Sequence, residues 1–218
     1  MSDTMRLTLG VELAKRVGER NGTDEDLELV REQGMDIFDS FADQFMEHVR
    51  QIRGDANCFH FTDPEIAFTI PALNHPTDDE IVKFFGNIKS YEDHSTEDEV
   101  TFRLATVLKT DEPSIDGAMY ERRLMSIRVE YGIFGLQHLK WLVKNQDNPE
   151  AIPDPNVRAA LKALVGNAYI DFSGLVVVTT DGYRFIPYAH DAGGRWRGSW
   201  VRLSVDFCRS GRVAVVGK

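Results

Sequence analysis

The sequence has few cysteines, no long apolar segment and no signal for secretion. Two cysteines, Cys58 and Cys208, are too few for a disulfide framework or a zinc cluster, so we expect a reducing compartment. The first twenty residues lack a basic segment followed by an apolar run. No apolar run approaches the ~18–20 residues that span a bilayer. We therefore expect a cytoplasmic protein without a membrane partner.

Motifs for nucleotide and metal binding are also missing. The chain has no Gly-x-x-x-x-Gly-Lys-Ser/Thr sequence, no His-Glu-x-x-His and no paired cysteine spacing. His94 lies among acidic residues between positions 92 and 99, but the segment lacks the spacing and the glycine of a calcium loop. A solvated acidic turn explains this cluster, and we expect neither a metal nor a cofactor.

The charges are unevenly distributed along a chain of 218 residues with a net charge of −10. Residues 167–218 contain seven Lys or Arg and four Asp, whereas residues 1–166 contain 18 basic and 31 acidic residues. This division predicts an acidic, mainly helical region, 1–166, and a basic antiparallel β region, 167–218, packed together as one domain. The asymmetry favours complementary contacts within the chain or between copies. Simple solvation of both sets of charges is the alternative.

Helical spacing of apolar residues dominates the first two-thirds of the sequence. It predicts helices at 8–20 and 23–53, and either two helices or one kinked helix within 115–143. Thr77 with Glu80 has the spacing of a capping box, and Asp154 followed by proline predicts another helix start. Each of these signals marks a helix.

One segment is ambiguous between helix and strand. Thr96 with Glu99 resembles a capping box before an apolar helix. Phe102, Leu104 and the residues after them also alternate as a strand would. We keep both interpretations open.

The last fifty residues change to the period of a β-strand. Leu175–Thr179 is rich in β-branched residues, and Asp181-Gly182 is a tight-turn signal before a returning strand at 183–188. Alternation at 201–207 and the apolar run at 213–216 predict two further strands. The predicted fold class is therefore α+β, with a largely helical N-terminal two-thirds packed on a small C-terminal antiparallel sheet of about four strands.

Residues 54–60 read Gly-Asp-Ala-Asn-Cys-Phe-His, which resembles the nucleophile loop of ovarian-tumour-type cysteine peptidases. The resemblance implies that Cys58 is a nucleophile, that Asp55 helps to form the oxyanion loop and that His190 is the base. It therefore makes a cysteine hydrolase one candidate function. The alternative is a structural cysteine that packs as a small apolar residue.

A segment rich in arginine and tryptophan is the strongest candidate for an interaction surface. Its candidate residues are Arg195, Trp196, Arg197, Trp200 and Arg202. Tryptophan and arginine are enriched at the energetic centres of protein interfaces. The same residues could stack on bases and pair with phosphates, although the acidity of the whole chain opposes a nucleic-acid partner. A further alternative is that the tryptophans fold back onto the sheet.

These observations favour a non-enzymatic protein that binds a protein partner or associates with itself through the basic β region. An assembly component, such as a viral or phage structural or accessory protein, would fit this description. The cysteine hydrolase is the main alternative, and a nucleic-acid-associated protein is the weaker one.

Overall fold

The computed structural model describes residues 58–217, without the side chains of residues 126–130. In chain order, its elements are β1 (His60–Thr62), β2 (Phe68–Ile70), α1 (Asp78–Phe85), β3 (Ile88–Asp93), β4 (Val100–Thr106), β5 (Ser114–Ile115), α2 (Gly117–Glu130), α3 (Leu136–Asn145), α4 (Pro155–Ala163), β6 (Tyr169–Asp171), β7 (Leu175–Thr179), β8 (Arg184–Asp191), β9 (Trp196–Arg202), β10 (Phe207–Cys208) and β11 (Gly211–Gly217). The helices predicted at 8–20 and 23–53 lie outside the described residues.

A mixed sheet of nine strands is the centre of this fold. Its main order is β1-β4-β11-β6-β8-β7-β3, with β2 also paired to β4 and β9 paired to β8. Strands β6 and β11 are parallel, and the other strand pairs are antiparallel. The described residues contain more strand than helix, so the predicted helical two-thirds with a small C-terminal sheet is wrong. The coarser class, α+β, is confirmed.

Local residue spacing explains part of the wrong prediction of a helical N-terminal region. Thr96 and Glu99 imitate a capping box, but Val100–Thr106 is strand β4. Phe102 and Leu104, which point to one face of this strand, are completely buried. The strand lies between β1 and β11, and this long-range pairing decides between the two patterns.

Helices cover both faces of the sheet. Alternate residues of β11 point to opposite faces of the sheet and pack into different apolar clusters. Ala214 belongs to one cluster, and Val213 and Val215 belong to the other. The first cluster includes residues of α1, α3 and α4, and the second includes residues of α2. A sheet buried on both faces needs continuous apolar strands, which explains the unbroken apolar runs in β7 and β11.

Two predicted helix starts, at Thr77 and at Asp154, are confirmed. The amide N–H of Glu80 donates to Thr77 Oγ1 at 3.3 Å, and the Thr77 N–H donates to Glu80 Oε2 at 3.0 Å, which completes the capping box of α1. Asp154 caps α4 by accepting from the N–H of Asn156 at 2.8 Å. The segment 115–143 forms two separate helices, α2 and α3.

Strand β9 is an edge of the sheet. It pairs with β8 along Phe185–Asp191, whereas β6 and β7 pair with different parts of the same strand. Because a strand has two edges, β6 and β7 share the side of β8 opposite β9. The other side of β9 carries no further strand among residues 58–217. No helix in this range is long and apolar enough to cross a bilayer.

Candidate functional site

The predicted interaction segment forms a tight turn and the edge strand β9. Gly193 and Gly194 adopt φ angles of 71° and 76°, which side chains disfavour, and they reverse the chain after β8. Asp191 Oδ1 accepts from the N–H of Gly194 at 2.9 Å and holds the turn. The ladder from Asp191↔Trp196 to Phe185↔Arg202 is unbroken and contains no bulge.

Trp196 belongs to the core and is not part of the exposed surface. Its side chain is 1% exposed, and its indole N–H donates to the carbonyl oxygen of Leu161 at 3.1 Å. The physical reason is its position beneath α3 and α4, where an indole fills the space and finds an acceptor. The two tryptophans predicted to form an interaction surface therefore differ in exposure, because Trp200 is 45% exposed.

The side chain of Gln146 shows which backbone groups face the free edge of β9. The N–H of Trp196 donates to Gln146 Oε1 at 2.9 Å, and Gln146 Nε2 donates to the Trp196 carbonyl at 3.1 Å. Both backbone groups of Trp196 therefore point away from β8. Because this direction alternates along an antiparallel strand, the backbone groups of Gly198, Trp200 and Arg202 point the same way.

Two of these residues offer an unoccupied edge. Gly198 and Trp200 are both exposed, and their outward N–H and C=O groups make no hydrogen bond within residues 58–217. Arg202 differs, since its carbonyl accepts from the N–H of Val205 at 3.3 Å. The edge thus presents two donors and two acceptors in the spacing of a strand.

Aromatic and basic side chains surround this edge. The Trp200 ring lies 4.9 Å from the Phe185 ring in an edge-to-face arrangement. The guanidinium of Arg202 lies 3.3 Å from the centroid of the Tyr183 ring, which fixes it beside the strand. Arg197 is exposed and forms no ion pair with another described residue. Arg195 is partly neutralised, because its Nη2 lies 2.8 Å from Asp147 Oδ2.

The other arginines of the C-terminal region serve the fold. Arg184 pairs with Glu121, and Arg212 Nε donates to Asp63 Oδ2 at 2.6 Å. Arg209 donates to the carbonyls of Thr110 and Glu112. The positive charge left for a partner is therefore concentrated at β9.

The structure does not bring the predicted hydrolase residues together. Cys58 is buried immediately before β1, and His190 lies in β8, with β4, β11 and β6 between these two strands. Four strand spacings correspond to about 19 Å, which is too far for a proton transfer. His190 Nδ1 lies 2.9 Å from the carbonyl oxygen of its neighbour Asp191. Asp55 lies outside the described residues.

A serine, histidine and aspartate meet elsewhere, in a cluster that the sequence analysis missed. Ser95 Oγ donates to Asp93 Oδ1 at 2.5 Å, and His75 Nδ1 lies 3.1 Å from Asp93 Oδ2. The same nitrogen of His75 is the one nearest to Ser95, at 3.4 Å. A catalytic relay needs the serine and the aspartate on different ring nitrogens. Ser95 is also 7% exposed, so the cluster holds two loops together rather than presenting a nucleophile.

An open cleft of about 420 Å³ lies between α2 and the sheet. Its floor is apolar and includes Val176, Ile186 and Leu203. Its polar lining residues already contact each other, since Glu121 pairs with Arg184 and His94 Nε2 lies 3.5 Å from Glu92 Oε2, which leaves few free polar groups to orient a ligand. We therefore place the candidate site at β9 rather than in this cleft.

The structure brings His94 close to one acidic side chain of its own segment. His94 Nε2 lies 3.5 Å from Glu92 Oε2, and both side chains are about half exposed or more. In the part of the chain that the structure describes, no group of three or more His, Cys, Asp or Glu could hold a metal ion.

Comparisons of the chain with protein families, with curated proteins and with solved structures give no match. The function is therefore argued from the site alone.

Proposed function

We propose that this protein is a non-enzymatic binding protein that accepts an extended acidic segment of a protein partner along the free edge of β9. The observation that carries the proposal is the unpaired backbone of Gly198 and Trp200 on an exposed, regular edge strand. Addition of a strand to such an edge is a common mode of peptide recognition.

Three features that proteins use to prevent strand addition are absent from this edge. Strand β9 contains no proline, no lysine and no bulge over its seven paired residues. A bound segment would satisfy the four free groups of Gly198 and Trp200. Each such hydrogen bond contributes about 1 kcal/mol net, so the backbone alone supports only weak binding.

Side chains would supply the remaining affinity and the preference for acidic partners. Trp200 offers a large, half-exposed ring that is already oriented by Phe185. Arg197 and Arg202 lie on the same strand and favour carboxylates on the bound segment. The net charge of −10 opposes a long polyanion such as a nucleic acid, whereas a short acidic segment would place its charges only beside the arginines of β9.

A synthetic peptide can test this function without knowledge of the natural partner. The probe is a peptide of about eight residues in which Glu and Val alternate, the length and period of a typical strand. We expect binding that weakens with added salt and protects the amide N–H groups of Gly198 and Trp200 from hydrogen exchange. The same peptide with Lys in place of Glu should bind about tenfold more weakly or not at all.

Two controls separate strand addition from simple charge attraction. Methylation of alternate peptide nitrogens removes the donors to the edge and should abolish binding while the charge is unchanged. Arg197→Glu should weaken binding, whereas Lys89→Glu, an equal charge reversal on exposed β3, should not. Acidic peptide binding that leaves Gly198 and Trp200 exchanging freely would contradict the proposal. Light scattering without peptide would show whether a second copy occupies the edge instead.

A further inference from the structure

A second site lies near Cys208, on strand β10. This thiol is half-buried, whereas Cys58 is completely buried. Two hydroxyl groups approach the sulfur, with Ser210 Oγ at 3.0 Å and the Tyr169 hydroxyl at 3.6 Å. The N–H of Cys208 donates to the same Tyr169 oxygen at 3.2 Å, which leaves the phenolic proton available for the sulfur.

These contacts favour the thiolate form of Cys208. Hydroxyl donors stabilise a negative sulfur, and the hydrogen bond from Ser210 in particular lowers the pKa of the thiol. The thiolate is the nucleophilic form of cysteine. The geometry therefore gives Cys208 both access to solvent and an activated sulfur.

A buried carboxyl group faces the same place. Cys208 and Asp171 both line a small cavity of about 10 Å³, which is enough for one oxygen atom or one water molecule. Asp171 is 1% exposed, and its Oδ2 accepts from the Tyr120 hydroxyl at 2.8 Å. Its Oδ1 has no hydrogen-bond partner among the described residues. A buried oxygen without a partner calls for a ligand, because its desolvation is otherwise uncompensated.

We propose that Cys208 is a site of reversible oxidation by hydroperoxides, at which the oxygen of the resulting sulfenic acid occupies the cavity beside Asp171. The thiolate sulfur attacks one peroxide oxygen, so an S–O bond forms and the O–O bond breaks. The leaving oxygen departs with the bonding electron pair and takes a proton from solvent. Sulfur loses two electrons, and the peroxide is reduced to an alcohol or to water.

The cavity explains why the oxidised form would persist. The oxygen on sulfur and Asp171 Oδ1 share a hydrogen bond, donated by whichever of the two groups carries the proton, which gives Oδ1 the partner that the reduced protein lacks. Reduction by a small thiol restores the cysteine.

The experiment uses hydrogen peroxide with dimedone, which traps sulfenic acids, followed by mass spectrometry of the cysteine peptides. We expect Cys208 to be labelled at least about tenfold faster than Cys58, which serves as the internal control. Labelling of Cys58 at an equal or higher rate would overturn the proposal.

A pair of serine variants tests the mechanism. Ser210→Ala removes the hydroxyl beside the sulfur and should slow labelling of Cys208 several-fold at neutral pH. Ser204→Ala changes an exposed serine without a hydrogen bond to Cys208 and should leave the rate unchanged. Thermal unfolding of both variants checks that the fold is intact. Equal labelling rates for Ser210→Ala and the parent protein, or an oxygen that a peroxide-treated crystal places outside the cavity, would overturn the inference.

Discussion

At the scale of single residues, the two tryptophans of β9 show how position along one strand decides the role of a side chain. Both lie on the same face of the strand, since their numbers differ by an even count. Helices α3 and α4 cover Trp196, but they do not reach Trp200. A core residue and a surface residue therefore occur within one edge strand.

Alanine variants of the two tryptophans should separate these roles. Trp196→Ala should lower the free energy of unfolding by about 3–5 kcal/mol, because it leaves a cavity and an unpaired carbonyl on Leu161. Trp200→Ala should cost about 1 kcal/mol or less but weaken binding of the acidic peptide. Urea unfolding and peptide titration of both variants give the comparison. Equal losses of stability would show that Trp200 also belongs to the core.

Sequence patterns at this scale were informative about burial but not about neighbours. The alternation predicts Val201, Leu203, Val205 and Phe207 on the apolar face of one strand at 201–207. Leu203 and Phe207 are buried, but Val205 is 41% exposed. The two buried residues do not share one strand, however, because β9 ends at Arg202, Leu203 lies in the turn that follows, and β10 begins at Phe207. Asp171 and Cys208 meet through the packing of distant strands, and no local pattern could have joined them.

At the scale of elements, helix α2 is held to the loop before β5 by a buried arginine. The side chain of Arg123 is 2% exposed, and it donates to both carboxylate oxygens of Glu112 at 2.6 and 2.8 Å. This hydrogen-bonded pair holds the pKa of Glu112 at about 2. Its stabilisation is present above the ordinary pKa of 4.5 and is lost as the pH falls towards 2.

Replacement of Glu112 should therefore be costly. Glu112→Gln should lower the free energy of unfolding by on the order of 3 kcal/mol at neutral pH, because the buried guanidinium of Arg123 loses the charged carboxylate of this bidentate pair. The control is Glu80→Gln, which removes the exposed pair with Lys140 and retains the capping box, and should cost about 1 kcal/mol or less. Thermal or urea unfolding measures both changes. Similar costs for the two variants would contradict a special role of the Arg123 pair.

Elements with local signals were predictable, and elements defined by long-range pairing were not. The turn at Asp181-Gly182 was expected between two strands, and β7 and β8 confirm it. The parallel pairing of β6 with β11 joins residues about forty positions apart, and nothing in either segment specifies the partner. For the same reason, the sequence suggested the basic strand β9 as an interaction segment but could not show that it lies at an edge.

At the scale of the whole molecule, Asp171 links folding to pH. Burial raises the pKa of this carboxyl from an ordinary value of 3.8 to about 7, although the hydrogen bond from Tyr120 opposes the change. The folded state therefore holds a proton that the unfolded chain releases between about pH 4 and pH 7. The contribution of this group to stability is complete below this window and is lost as the pH rises through it.

We expect Asp171→Asn to remove this pH dependence. A shift of about three pKa units corresponds to on the order of 4 kcal/mol. The free energy of unfolding of the variant, relative to that of the parent protein, should therefore rise by about this amount as the pH increases from 4 to 8. Urea unfolding across this range measures the difference. Asp206→Asn, at an exposed carboxylate, is the matched control. A stability difference between Asp171→Asn and the parent that does not vary with pH would exclude a protonated Asp171 in the folded state.

The amide of Gln146 has a consequence for any chain that adds to β9. Because it already bonds to both backbone groups of Trp196, an added strand cannot extend past that residue without displacing it. The first available position is Gly198, so the partner must start or stop there. One glutamine thereby fixes one end of the paired stretch, independently of the bound segment's own sequence.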